Sequence, residues 1–287
     1  MKLFNKDFVY RKKIYRGDKK LETKEQLLGY LKEIETWEKK QKDLFIWEKL
    51  GRIPFKLLDR LTPKWIQKKI GELVDELGSY IQTGGKYLVS EEAMLKRINK
   101  LSSYRKLQTL EEIKKLPIED MIKISEGLAK NRAAFASLQG ATTGVGGLFT
   151  LVVDIPMILG ISLKTLQEIA MIHGYDPKDK KERIFIVKCL QFANADIVGK
   201  EAILKDLSTI DEKSSADVIQ QLKGWQEVFY TFRDQFGWKK FFQAIPIAGI
   251  LFGSIANKNM IETIAETGDM LYRKRRVKDR LKEMPSL

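Results

Sequence analysis

Apolar residues recur along this chain at intervals of three and four, with Glu and Lys filling the positions between them. Leu27, Leu28, Leu31, Ile34 and Trp37 form one such series, the pattern of a helix with a single apolar face. A second helix is expected after Thr62-Pro63, where Thr suits the N-cap and Pro the first turn; Ile66, Ile70, Leu73, Val74 and Leu77 share its apolar side. Ser90-Glu91-Glu92 opens a third that continues through Leu95, Ile98 and Leu101, and Pro117 starts a fourth bearing Met121, Ile124 and Leu128. Alternating β-branched runs bounded by hairpin turns are missing, so the expected fold is all-α.

Two stretches depart from this amphipathic rule. Residues 133–153, AAFASLQGATTGVGGLFTLVV, carry no charge, and after Asp154-Ile155-Pro156 the apolar character resumes to Leu163. Residues 241–257, FFQAIPIAGILFGSIAN, repeat the theme at smaller scale and include Pro246, Gly249 and Gly253. Each leads into an amphipathic helix, through Leu166, Ile169 and Ala170 in one case and Met260, Ile264, Met270 and Leu271 in the other. The expectation is a multi-helix bundle with two Gly-rich apolar helical hairpins. Spanning a bilayer takes about 20 predominantly apolar residues. The first run has the length but is diluted by Ser137, Gln139, Thr142, Thr143, Gly140, Gly144, Gly146 and Gly147, and the second is short. Membrane insertion, shallow or spanning, and a close-packed core are all compatible with it. Gly140, Gly144 and Gly147, with Thr143, form a small-residue stripe that lets another helix approach closely.

Charge adds a direction to this picture. The chain has a formal net charge of +14, and residues 1–115 hold 28 Lys/Arg against 17 Asp/Glu, so the excess lies mainly at the front. A second cluster, Arg273, Lys274, Arg275 and Arg276, sits near the end. Such a field favours a polyanion, either an anionic membrane surface or nucleic acid. In the front part Trp37, Trp47 and Trp65 are interleaved with Lys39, Lys40, Lys42, Lys68 and Lys69, the composition of an interfacial surface as well as of a core with a solvated rim. No RNA- or DNA-binding signature accompanies it, which disfavours nucleic acid. One cysteine, Cys189, lies in an apolar stretch and reads as a small core residue. The N-terminus lacks the features of a secretory signal, and the expected location is cytoplasmic, peripherally associated with the inner face of the cell membrane.

The segment from Pro117 to Asp176 resembles the signature region of the EcsC protein family: GATTGVGG, the Asp-Ile-Pro that follows, and Gly-Tyr-Asp at the end of the next helix. TPKWIQKKIGELVDEL is similar to the family's opening helix, and IPIAGILFGSIANKNMIETIAETGDMLYRKR to its last block. The resemblance covers about residues 60–277, which divides the chain into a basic, aromatic-rich extension (1–60), an EcsC-like domain (61–277) and a polar tail (278–287). It implies a setting beside an ABC-type transporter and supplies no reaction. His173 stands where an aromatic such as Tyr is expected, which argues against a family role for it in catalysis.

The motifs themselves give little chemistry. GATTGVGG lacks the Gly-Lys-Ser/Thr of a phosphate-binding loop, and no lysine lies between Arg132 and Lys164. Asp154 is the sole charge in that interval; it is either the cap of a helix beginning at Pro156 or a ligand-binding carboxylate in apolar surroundings. His173, Gly174, Tyr175 and Asp176 mark a helix end, with Gly174 as the expected C-cap. His173 is the single histidine, so no His-based metal centre is expected, and no cofactor is implied. The expected role is that of a non-enzymatic accessory protein at an anionic membrane surface, linked to transport or envelope processes. Its rivals are a binder of a lipid-like or hydrophobic ligand, with Asp154 near the pocket mouth, and a hydrolase using Asp154, His173 or Asp176.

Overall fold

The computed structural model describes residues 21–42, 64–101, 107–143, 151–194, 197–208 and 250–284; for 42, 64–71, 73–74, 101, 139–143, 151–156, 194, 197–199 and 250–257 it describes the helical backbone alone. Nine α-helices are present among these residues, with no strand: α1 (Lys24–Lys42), α2 (Lys64–Thr83), α3 (Glu91–Leu101), α4 (Leu110–Lys114), α5 (Ile118–Thr143), α6 (Leu151–Ile172), α7 (Lys180–Asn194), α8 (Ile197–Ser208) and α9 (Ile250–Glu283). The all-α expectation and the four helix starts read from periodicity agree with this order. Thr62 and Pro63 themselves lie outside the described residues. The short α4 was missed by the periodicity. Its signal was present in Thr109, whose side chain accepts the Glu112 N–H, and in Glu112, whose carboxylate accepts the Gln108 N–H.

Burial divides the helices by role. On α1, Leu27, Ile34 and Trp37 are buried while Leu28 is half exposed, so one face meets the core. By contrast, α6 from Ile158 to Ile172 is buried almost all round, with half-buried Gly160 and exposed Lys164 its exceptions. A helix that is apolar on every side belongs inside a protein or inside a bilayer; here α5, α7, α9 and parts of α2, α3 and α4 surround it. Its polar residues are satisfied locally. Ser162 and Thr165 donate to the carbonyls of Ile158 and Ile161 at 2.7 Å, and Gln167 donates to the Tyr87 carbonyl at 2.8 Å and accepts from Val89 N–H at 3.2 Å. Glu168 is held by Arg97 and Arg132, the latter through Nε at 2.8 Å. From Ile158 to Leu163 this apolar run is therefore core. Among the described residues no helix is long and apolar enough to cross a membrane, which removes support for the expectation that these hairpins insert.

Of the uncharged run 133–153, residues 133–143 belong to α5 and 151–153 to α6. Since α6 begins at Leu151, Asp154 lies inside its first turn and Pro156 in its second, which corrects the expectation that Asp154 caps a helix starting at Pro156. The final helix α9 is the frame of the bundle: it lies along α5 and contacts α6, α7 and α1. It continues to Glu283, and α1 packs against it.

Cross-links fix the direction of each helix. Arg280, near the end of α9, donates to the carbonyls of Lys114 (3.0 Å) and Leu116 just before α5, so α9 and α5 run antiparallel. Gly268 faces Leu166 and Ile169, while Arg276 reaches the His173 carbonyl, so α9 and α6 run parallel. At 1.5 Å per residue, α9 and α5 each extend roughly 40–50 Å from the Arg280 link. The start of α9, the end of α5 and the start of α6 consequently lie at one end of the bundle. The described parts of two uncharged runs far apart in sequence share that end.

Candidate functional site

The opposite end of the bundle collects the charges. Gly174 ends α6 with φ +78°, and the Tyr175 N–H to Ala170 carbonyl and Gly174 N–H to Met171 carbonyl bonds, both 2.9 Å, complete a left-handed helix cap. This confirms Gly174 as the C-cap. Asp176 then accepts the Lys178 N–H at 2.9 Å, turning the chain into α7. The turn leaves His173 pointing into the contact between α6 and α9, fully buried, with Nε2 3.0 Å from Asp269 Oδ1. Asp269 Oδ2 accepts from Arg273 one helical turn further on. Arg276 closes the cluster by donating from Nε (2.8 Å) and Nη2 (2.5 Å) to the His173 carbonyl.

Electrostatics follow from these contacts. Burial holds the His173 imidazole below its ordinary value of 6.5, and the Asp269 bond only partly opposes this. His173 Nδ1 finds no partner among the described residues, so a second ring proton would be buried without an acceptor. Burial also works against the Asp269 carboxylate, but Arg273 and the His173 bond outweigh it and keep the group below 3.8. The neutral ring with its Nε2 proton on Asp269 is the state these contacts favour. With no exposed surface, His173 meets a substrate only if α6 and α9 part.

Around this core Arg275, Lys274, Arg273 and Arg280 of α9 are also paired. Arg275 forms a bidentate pair with Glu182 of α7 at 2.8 and 2.9 Å, and its guanidinium stacks 4.2 Å from the Tyr175 ring and 4.3 Å from Phe185. Tyr175 donates to Asp279 at 2.8 Å. Lys274 grips Glu38 of α1 at 2.7 and 2.9 Å, Arg273 approaches Glu33 at 3.5 Å, and Arg280 pairs with Glu22.

These placements change the reading of the candidate membrane surface. Arg273, Arg275 and Arg276 face inward to carboxylates, a carbonyl and aromatic rings, so the basic cluster does not form an outer patch. Trp37 is also buried, its ring tilted against Phe192 with centroids 5.6 Å apart and its Nε1 donating to Glu266 at 2.9 Å. Lys39 and Lys40 remain exposed. Trp47 lies outside the described residues; Trp65, Lys68 and Lys69 on α2 and Lys42 on α1 have described backbone only. Cys189 is buried as expected, and burial pushes its thiol up.

At the uncharged end, Gly140, Thr142 and Thr143 belong to the last turn of α5 and Asp154 and Pro156 to the start of α6, whereas Gly144, Gly146 and Gly147 lie outside the described residues. Flanking them, Phe135 is 53% exposed, Leu138 68% and Met157 38%. The spacing rules missed these three because uncharged surroundings made them resemble core. Sequence reasoning also missed Glu22, Glu38, Glu182 and Asp269, the acids that absorb the α9 cations. Only Asp269, four residues before Arg273 on one helix, carried a local signal. Among the described residues no three His, Cys, Asp or Glu side chains converge as metal ligands.

Comparison with known proteins gives three findings. The family model described as the EcsC protein family matches residues 29–277. The "Uncharacterized protein YdbA" of Bacillus subtilis (strain 168) is 55% identical over 263 residues, covering 91% of this chain and 97% of that protein. "Protein EcsC" of the same organism is 31% identical over 145 residues, 50% of this chain and 58% of that protein. No solved structure matches.

Proposed function

This chain belongs to the EcsC protein family, and we propose that it is a non-enzymatic accessory protein that docks peripherally on the inner face of a cell membrane through the uncharged end of its bundle. The observation that carries this reading is the exposure of Phe135, Leu138 and Met157 beside the converging uncharged runs. Water-exposed aromatic and aliphatic side chains grouped at one end seek an apolar cover, and burying each fully contributes about 1.5–3 kcal/mol. Lys130 of α5, just over one turn before Phe135, is an exposed cation, and Lys39 and Lys40 of α1 are exposed as well. Each lysine near an anionic leaflet adds roughly 1 kcal/mol.

Such docking is interfacial and needs no spanning helix. The frame of paired arginines would hold the end rigid, and the work done there would serve transport or envelope processes, in keeping with a neighbouring ABC-type transporter as partner. The test is flotation with phosphatidylglycerol and phosphatidylcholine vesicles at low and high salt. Recovery with the anionic vesicles at low salt is expected, with loss of at least about tenfold in Phe135→Glu/Leu138→Glu. Equal flotation of the double variant, or no preference for the anionic vesicles, overturns the proposal.

A further inference from the structure

A cavity of about 260 Å³ opens between α1, α7, α8 and α9, away from the uncharged end. Its apolar part is made by Phe185, Leu204, Leu207 and Leu271. The space equals roughly eight or nine liquid waters and approaches the lower range of small-molecule sites. Most charges around it are already committed: Lys274 to Glu38, Arg275 to Glu182, and Asp279 to the Tyr175 hydroxyl. Two are not. Lys278 and Lys282, one turn apart on the same face of α9, are exposed at the rim and have no carboxylate partner among the described residues. The helix dipole gives Lys282 a structural role in the last turn of α9 but does not account for Lys278.

We propose that this cavity binds a single-chain amphiphile, its anionic head on Lys278 and Lys282 and its apolar body against Phe185, Leu204, Leu207 and Leu271. The combination selects against two simpler ligands. A neutral alcohol of the same length leaves the two ammonium groups unused, and inorganic phosphate leaves the apolar wall unused.

Calorimetric titration of the full chain with monomeric decanoate, decanol and inorganic phosphate, without vesicles, tests the site. Decanoate is expected to bind one to one, and decanol and phosphate at least about tenfold more weakly. Lys278→Glu/Lys282→Glu, both at exposed positions, should weaken decanoate about tenfold or more while the protein still unfolds in one cooperative transition, its midpoint lowered only by the lost Lys282 contact with the helix dipole. Leu207→Trp should fill the cavity and weaken decanoate likewise. Phe135→Glu/Leu138→Glu should bind decanoate normally, which separates this site from membrane docking. No decanoate binding, decanol or phosphate binding as tightly as decanoate, or an unchanged affinity in the lysine double variant overturns the proposal.

Discussion

At one end of the bundle Arg273, Arg275, Arg276 and Arg280 turn inward onto carboxylates, rings and carbonyls contributed by α1, α6, α7 and the approach to α5. At the other, Phe135, Leu138 and Met157 stand in solvent beside two uncharged runs. Each end inverts the usual rule that charge faces out and apolar groups face in. The inversion at the charged end is possible because almost every buried cation has a partner, and a paired buried charge is tolerated where a lone one is not. No comparable compensation exists for Phe135 and Leu138 among the described residues. The contrast teaches that the charged end is a frame and the uncharged end is where the molecule has surface left to use.

The comparison can be broken most forcefully at Arg280. Replacing it by Ala strands Glu22 and frees the carbonyls of Lys114 and Leu116, and removal of one partner from a buried pair costs about 3–5 kcal/mol. Urea unfolding of Arg280→Ala should show a loss of that order. Gly174→Ala comes next. Its φ of +78° and the collision of a Cβ with Lys114, whose Cα lies 3.2 Å away, should cost at least about 1–2 kcal/mol.

The same frame predicts a pH dependence. The unfolded His173 ring takes up a proton as pH falls through about 6.5, while the folded ring, depressed by burial, resists it. The unfolded state therefore binds more protons below that pH, so stability present above 6.5 declines as the solution is acidified toward the folded value. Unfolding midpoints between pH 7.5 and 5 should fall in the parent protein and fall less in His173→Phe. The smallest stability effect belongs to the uncharged end: Phe135→Glu/Leu138→Glu should change stability by no more than about 0.5 kcal/mol, as for surface positions, while abolishing vesicle recovery.

Much of this architecture was legible in the sequence because it is written locally. The three- and four-residue spacing of Leu27, Ile34 and Trp37, the Pro117 start and the Gly174 stop each depend on near neighbours. What the sequence concealed was long-range. Arg273, Lys274, Arg275 and Arg276 read as an exterior patch because Glu33, Glu38 and Glu182 lie many residues away. The interior position of α6 was equally ambiguous, since an all-round apolar helix suits protein core and bilayer alike. Among the candidate site residues, His173 and Gly174 to Asp176 form one described helix end, whereas Gly140, Thr142, Thr143 and Asp154 lie at the other end of the bundle. Sequence adjacency to a shared motif did not place them in one site.

Hydrogen–deuterium exchange of the full chain with and without phosphatidylglycerol vesicles tests the division of labour most directly. The account predicts vesicle-dependent protection across residues 131–158 and the first turns of α9, with exchange at residues 170–176 and 270–283 unchanged. Protection confined to the arginine-rich end, or none at residues 131–158 under conditions where the protein floats, would contradict it.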